Sequence, residues 1–186
     1  TTAPRAPRAM DPIRTERLHL RRFDSGDAGH LFDLHNDAEV MRWINGGEST
    51  PRSIIVGETL PTFIAESGGP AWQGFLAAED AATGDFLGWF SLVRQTPDAP
   101  SCSLCYRLAR PAWGKGLATE GARALLGLAF ARGGIEKAAA TTYEKNIGSQ
   151  RVLDKLGFDL VRRFRLSEED LLASKTAHTE SAEVWD

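Results

Sequence analysis

Short stretches in which apolar and polar residues alternate predict most of the β-strands in this chain. Leu18 and Leu20 alternate with polar neighbours in ERLHLRRF, which indicates an early strand. WQGFLAAED and ATGDFLGWFSLVRQ predict two strands joined by a tight turn at Thr83, Gly84 and Asp85. SCSLCYRLA predicts a third strand beside them, KAAATTY and FDLVRRFRL predict two later ones, and the closing EVWD is typical of the start of a last strand.

Segments with helical spacing lie between these strands. Leu31, Phe32 and Leu34 give the first helix an apolar face, and either Asp24 or Ser25 can cap its start. VMRWIN predicts a short helical turn, after which glycine and proline residues indicate a loop.

Two further segments have helical spacing. One runs from Ser53 to Ser67, where Pro61 is expected to break or kink the helix because it lacks an amide donor. NIGSQRVLDKLG predicts another helix, which Gly157 closes. The polar stretch from Ser167 to Ala182 is expected to be an excursion or turn.

The order of these elements predicts an α/β fold of the mixed α+β kind. Three strands in hairpin sequence precede a strand–helix–strand crossover, which implies a mixed sheet covered by helices. We expect residues 1–12 to form a flexible arm, since they lack the apolar core of a secretory signal. Residues 13–186 are then expected to form a single domain.

Composition and charge remove several classes of function. The formal net charge of −3 gives no electrostatic footprint for binding nucleic acid or anionic lipid. No apolar run approaches the roughly 20 residues that a membrane span needs. We therefore expect neither nucleic acid nor a membrane among the partners.

Cys102 and Cys105 lie close together in SCSLCYR, on a predicted strand. They have no second Cys/His cluster with which to build a zinc site, so we expect no metal. We interpret them as ordinary strand side chains. Without a disulfide framework, a reducing cytoplasm is the expected location.

A glycine-rich turn passes directly into a helix in RPAWGKGLATEGARALLGLAF, from Arg110 to Phe130. The first four amides of a helix are unpaired and carry partial positive charge, and glycines let an anion approach the backbone. This is the chemistry of a phosphate cradle, but the pattern alone is a weak signal, because Gly-x-Gly before a helix is common and is often just a turn. Leu117 and Ala118 replace the Lys-Ser/Thr pair of a nucleotide P-loop, and Gly114, Gly116 and Gly121 do not have the Gly-x-Gly-x-x-Gly spacing of a dinucleotide fold.

Two signatures in this order resemble a known family. LCYRLARPAWGKGLATEGARALL and NIGSQRVLDKLGF are similar to the acetyl-CoA loop and the second signature of the GNAT family, the GCN5-related N-acetyltransferases. TERLHLRRF and DAGHLFDLHNDAEVMRW resemble the start of its RimJ/RimL-like branch of ribosomal-protein alanine acetyltransferases. The resemblance runs from about Arg14 to Phe164. It implies a central, mostly antiparallel mixed sheet, splayed at the acetyl-CoA site and flanked by helices.

The resemblance also implies how acetyl-CoA binds. The loop amides would hold its pyrophosphate, and the pantetheine arm would lie between the strand ending at Leu108 and the strand ending near Tyr143. Lys115 and Arg110 can meet phosphate oxygens. Pro111 stands where the family often has Gln or Arg. The expected contacts are Tyr106, Leu108, Arg110, Trp113, Gly114, Lys115, Gly116, Leu117, Ala118, Thr119, Asn146 and Ser149.

For catalysis the resemblance implies direct attack by an amine in a ternary complex. Many members protonate the leaving thiolate with a tyrosine seven residues after the signature asparagine, but Leu153 occupies that position here. Ser149 is the expected substitute; alternatively, it caps or packs the helix start. Glu79, Glu144 or a chain of water molecules can serve as the general base, whereas Glu120 is expected to be structural.

These residues predict an acetyl-CoA-dependent N-acetyltransferase acting on a primary amine. The acceptor is either a protein N-terminus or a small-molecule amine, and the resemblance places its site in the segments Trp43–Ser67 and Ser167–Ala182. The alternative is a non-catalytic acyl-CoA-binding protein with the same fold. We expect a monomer or a homodimer.

Overall fold

A computed structural model describes residues 12–164 and the backbone of residues 183–185. Most of the predicted N-terminal arm and the whole excursion from Ser167 to Ala182 therefore lie outside the described residues.

The described strands form one eight-stranded mixed sheet in the order β1-β2-β3-β4-β5-β6-β8-β7. Only the β5–β6 pair is parallel, and every other pair is antiparallel. The mixed, mostly antiparallel sheet predicted from the sequence is confirmed. The strands are β1 (Ile13–Arg14), β2 (Leu18–Arg22), β3 (Gly74–Asp80), β4 (Phe86–Arg94), β5 (Ser101–Leu108), β6 (Lys137–Thr142), β7 (Leu160–Arg163) and β8 (Glu183–Trp185).

Helices cover both faces of this sheet. A 3₁₀ turn at Ser25–Asp27 precedes α1, a second at Arg110–Ala112 follows β5, and a π-helical turn at Ile55–Thr59 lies between α3 and α4. The α-helices are α1 (Ala28–His35), α2 (Ala38–Asn45), α3 (Arg52–Ile54), α4 (Leu60–Glu66), α5 (Leu117–Arg132) and α6 (Ile147–Leu156).

Of the two predicted caps for the first helix, Asp24 is the one used. Its side chain accepts a hydrogen bond from the Gly26 amide, and the Asp27 side chain accepts one from the Asp24 amide. This reciprocal pair starts the helix through a 3₁₀ turn. Leu31 and Leu34 are buried, as the helical spacing predicts.

Pro61 does not break the helix that contains it. The Leu60 amide donates to the Ile55 carbonyl, five residues earlier, which is the spacing of a π-helix. This wider turn shifts the hydrogen-bond ladder just before the residue that has no amide donor, so α4 continues through it. The predicted break is therefore wrong, and the alternative of a kink stays a prediction.

The buried side chains form one cluster on each face of the sheet. Helices α5 and α6 pack on the face that includes Leu76, Phe90 and Leu104, whereas α1 and α4 pack on the face that includes Ala77 and Trp89. A Cβ atom on Gly121 would lie 2.4 Å from the Phe90 ring, so α5 rests directly on β4. This contact fixes the start of α5 beside the end of β5.

A buried polar contact joins β5 to α1. The guanidinium of Arg107, only 5% exposed, donates to Nε2 of His35 across 2.8 Å. Desolvation by burial lowers the pKa of Arg107 to about 10, which leaves it charged at neutral pH. The contact holds α1 over the strand that carries the candidate site on its other face.

Candidate functional site

The parallel strands β5 and β6 separate in their C-terminal halves. Their last registered partners are Leu104 and Ala140, although β5 continues to Leu108 and β6 to Thr142. The same end of β6 stays paired with β8 along its other edge. The splay predicted for the sheet is confirmed, and it leaves a gap beside the second half of β5.

Main-chain polar groups of β5 face this gap. The Ala109 amide donates to the Leu87 carbonyl of β4. The amide and carbonyl of each residue in a strand point to one edge, and those of the next residue point to the other edge. Those of Tyr106 and Leu108 therefore point away from β4. The Leu108 carbonyl already accepts a hydrogen bond from the Trp113 indole at 2.7 Å, so Trp113 anchors the following loop.

The glycine loop joins the gap to the start of α5. Gly114 and Gly116 have φ angles of 71° and 79°, in the left-handed region that favours glycine. The first hydrogen bond within α5 runs from the Glu120 amide to the Gly116 carbonyl, so the amides of Leu117, Ala118 and Thr119 have no acceptor within the helix.

Space lies above this loop. A Cβ atom added to Gly114 would meet no heavy atom within 4 Å, so the glycine is required by its backbone conformation rather than by crowding. Free amides, partial positive charge and open space together suit a phosphate group. The residues present therefore fit the pyrophosphate cradle expected from the sequence.

Two charged residues, Arg17 and Glu120, hold the glycine loop in place through hydrogen bonds. Arg17 donates from Nη1 to the Lys115 carbonyl and from Nε to Glu120, while the Glu120 carboxylate also accepts from Thr15. Burial alone would raise the pKa of Glu120, but the hydrogen bonds from Thr15 and Arg17 outweigh it and lower that pKa. Glu120 thus has the structural role predicted for it, and Arg17 is a partner that the sequence reasoning missed.

The two basic residues predicted near the phosphates differ in their surroundings. Lys115 has an exposed side chain in the loop itself. The Arg110 guanidinium instead donates through Nε to Asp37 at 2.7 Å, and Asp37 caps α2. Arg110 therefore ties the loop to α2.

A hydrogen bond crosses the gap between Tyr106 on β5 and Ser149 on α6. Their hydroxyl oxygens are 2.9 Å apart, and the Tyr106 hydroxyl also lies 3.4 Å from the Ser149 carbonyl oxygen. Burial raises the pKa of Tyr106 to about 12, more than its hydrogen bond with Ser149 lowers it. The phenol is thus protonated at neutral pH.

Asn146, rather than Ser149, caps α6. The Asn146 side-chain oxygen accepts a hydrogen bond from the Ser149 amide at 3.2 Å. Ser149 is the third residue of the helix, and its hydroxyl contacts Tyr106. The capping alternative for Ser149 is therefore wrong.

The two predicted bases differ in their surroundings. Glu79 accepts a hydrogen bond from Arg21 at 2.7 Å, and Arg21 also binds Asp27 just before α1. The Glu144 side chain is exposed. Neither carboxylate is hydrogen-bonded to Tyr106 or Ser149 in the described structure. Their role as bases stays a prediction.

Within residues 12–164, no group of three or more His, Cys, Asp or Glu side chains is placed to hold a metal ion. No helix in the described part is long and apolar enough to cross a membrane.

Comparison with known proteins identifies the family. The family model described as the acetyltransferase (GNAT) domain matches residues 17–159 of this chain. YkkB of Bacillus subtilis (strain 168) is 31% identical over 159 residues, which cover 84% of this chain and 90% of YkkB. The chain therefore belongs to the GNAT acetyltransferase family, and it is an N-acetyltransferase.

Solved structures agree with this fold. RimL, a ribosomal L7/L12 α-N-protein acetyltransferase in complex with coenzyme A, has a TM-score of 0.72 at 16% identity and covers 94% of this chain and 95% of its own. MccE, a microcin C7 self-immunity acetyltransferase in complex with acetyl-CoA and AMP, has a TM-score of 0.73 at 14% identity, with 92% of each chain covered. The predicted GNAT fold is confirmed, and the presence of RimL among similar structures is consistent with a RimJ/RimL-like branch.

Proposed function

We propose that this N-acetyltransferase transfers the acetyl group of acetyl-CoA to a primary amine by direct attack in a ternary complex. The observation that carries the proposal is the continuous arrangement of an open gap, a glycine loop at a helix start and a hydroxyl pair inside the gap. The alternative, a non-catalytic acyl-CoA-binding protein, explains the loop but gives no role to that hydroxyl pair.

The main chain would supply most of the contacts to acetyl-CoA. The amides from Gly114 to Thr119 would hold the pyrophosphate, with Lys115 adding charge. Groups of Tyr106 and Leu108 that face the gap would bind the pantetheine arm. Asn146 would add its side-chain NH₂, since its oxygen is engaged by the Ser149 amide.

Arg110 and Trp113 have a different proposed part in this site. Each already has a partner in the protein, Asp37 for Arg110 and the Leu108 carbonyl for Trp113. We therefore assign them to holding the loop in shape beside the ligand, in place of direct phosphate contacts.

Ser149 would assist the leaving group. The chemistry that acetyl-CoA supplies is an electrophilic thioester, whose C–S bond breaks with its electron pair on sulfur as the C–N bond forms. The Ser149 hydroxyl, held in the gap, would donate a hydrogen bond to that sulfur. This assigns to Ser149 the function that a tyrosine at the position of Leu153 would otherwise serve.

The base that accepts the amine proton is proposed to be Glu144 or a chain of water molecules. Glu79 remains a candidate, but its ion pair with Arg21 would have to be broken or shared for it to act. The exposed Glu144 has no such restraint in the described structure.

The acceptor is a protein N-terminus or a small-molecule amine. The rings of Trp43 on α2 and Tyr143, just after β6, have centroids 6.2 Å apart. We propose that these two rings line the path by which the amine reaches the gap. RimL is an α-N-protein acetyltransferase, which supports a protein N-terminus as the acceptor. A cytoplasmic location and a monomeric or dimeric state remain predictions.

Release of the CoA thiol tests the proposal. Purified protein with acetyl-CoA is offered peptides with different first residues and, in parallel, amino sugars, polyamines and amino acids. Amine-dependent thiol release is the expected result, and the preferred group identifies the acceptor class. Acetyl-CoA binding without release by any amine would favour the non-catalytic alternative.

A further inference from the structure

The contact between Tyr106 and Ser149 raises a question of hydrogen-bond direction. Each hydroxyl has a single proton, and their oxygens lie 2.9 Å apart. If the Ser149 hydroxyl donates its hydrogen bond to Tyr106, it has no proton left with which to donate to a third group. If Tyr106 donates instead, the Ser149 proton is free to point into the gap.

The surroundings of the Tyr106 hydroxyl favour donation by tyrosine. Its proton has two acceptors within reach, the Ser149 side-chain oxygen at 2.9 Å and the Ser149 carbonyl oxygen at 3.4 Å. The shorter contact is the better hydrogen bond. Because burial raises the pKa of Tyr106, the phenol keeps its proton throughout the neutral and mildly alkaline range.

We infer that Tyr106 is a positioning residue that donates to the Ser149 hydroxyl oxygen and thereby directs the Ser149 proton toward the departing sulfur. The inference rests on the proposed role of Ser149. It requires a hydrogen bond to the thiolate, not a completed proton transfer. The CoA sulfur keeps the electron pair of the broken C–S bond as a thiolate, and water protonates this thiolate after CoA is released. A hydroxyl that accepts one hydrogen bond is also a stronger donor in the next.

The thiol pKa of bound CoA gives a readout that needs no acceptor. Hydrogen bonds to a thiolate stabilise its charged form and lower the thiol pKa. The ultraviolet absorbance of the thiolate, titrated against pH with the desulfo-CoA complex as the blank, measures that pKa. The proteins compared are wild type, Tyr106→Phe, Ser149→Ala and the double variant.

Tyr106→Phe keeps the ring and removes only the hydroxyl. We expect the thiol pKa of bound CoA to rise by about one pH unit in Tyr106→Phe. Ser149→Ala should raise it at least as much, and the double variant should match Ser149→Ala. Turnover should fall about fivefold in Tyr106→Phe, while KM for acetyl-CoA stays within about twofold. Ser101→Ala, at the N-terminal end of β5 away from the gap, should leave the thiol pKa unchanged.

An unchanged thiol pKa in Tyr106→Phe would overturn the inference. So would an equal rise in both the wild-type and the Ser149→Ala backgrounds, since Tyr106 would then act without Ser149. If the Tyr106 hydroxyl only stabilised the fold, Tyr106→Phe would lower the melting temperature and weaken acetyl-CoA binding without changing the thiol pKa. That result would also overturn the inference. Absence of acetyl transfer to every amine, with the expected pKa pattern intact, would count against the proposed function and support the hydrogen-bond relay.

Discussion

The Arg17 guanidinium lies 2.6 Å from the Glu120 carboxylate and also donates to the Lys115 carbonyl in the glycine loop. The Arg17 side chain, from the residue just before β2, thus contacts both the first turn of α5 and the loop proposed to hold the pyrophosphate. Glu120 accepts a further hydrogen bond from the Arg17 amide at 2.9 Å. The loop is therefore held in shape by contacts far from it in sequence.

Glu120→Gln should destabilise the protein in a pH-dependent way. The folded-state pKa of Glu120 is lowered from its ordinary value of 4.5, so its contribution is fully present above about pH 4.5 and is lost as the pH falls through the lower, folded value. We expect a loss of about 1 kcal/mol at neutral pH, because Arg17 is half exposed and its attraction is screened.

Urea unfolding at several pH values measures this difference. The difference in the free energy of unfolding between wild type and Glu120→Gln should decrease below about pH 4.5. Glu136→Gln, at an exposed position, is the matched control and should change stability by less than about 0.5 kcal/mol. A difference that stays constant down to acid pH would show that the charge of Glu120 contributes nothing.

Ser149→Ala should lower kcat by at least about tenfold. Removal of one hydrogen-bond donor to a developing anion typically costs about 10²- to 10³-fold in kcat, and water can replace part of it. Acetyl-CoA affinity should change much less, because the loop amides are untouched. Steady-state CoA release and calorimetric binding check the two parts. Ser101→Ala, at the opposite end of β5, serves as the control. A kcat within about twofold of wild type would remove Ser149 from the mechanism.

Gly121→Ala should destabilise the fold because its new Cβ would overlap the Phe90 ring, 2.4 Å away. Overpacking of this kind costs about 1–3 kcal/mol. Gly127 lies on the exposed face of the same helix with no atom within 4 Å of a built Cβ, so Gly127→Ala should stabilise by about 0.5–1 kcal/mol. Thermal unfolding compares the pair. A gain in stability from both substitutions would contradict the close contact of α5 with β4.

Local features were predictable from the sequence. Alternation located the strands, and the left-handed glycines at 116 and 157 mark the start of α5 and the end of α6, where the glycine patterns placed them. Such signals depend on neighbouring residues only. Pro61 was the exception, because a π-helical turn just before it compensates for the missing amide donor.

Contacts between distant residues were not predictable in the same way. Tyr106 and Ser149 are 43 positions apart, and Arg17 and Glu120 are 103 apart. Whether such side chains meet depends on how the sheet splays and where α5 and α6 rest on it. Arg110 shows the same limit: its charge suggested a phosphate contact, whereas the fold places it against Asp37.

Calorimetric titration of acetyl-CoA into wild type, Gly116→Asn and Gly116→Asp tests the central claim most directly. Both substitutions place a similar side chain at the left-handed φ of 79°, a conformation that Asn and Asp tolerate, but only aspartate adds negative charge beside the proposed pyrophosphate. At about 100 times Kd, acetyl-CoA should stabilise wild type by about 2.7 kcal/mol. Gly116→Asp should lose this binding, and Gly116→Asn should keep part of it. Equal affinity in all three proteins would contradict an acetyl-CoA site at the glycine loop.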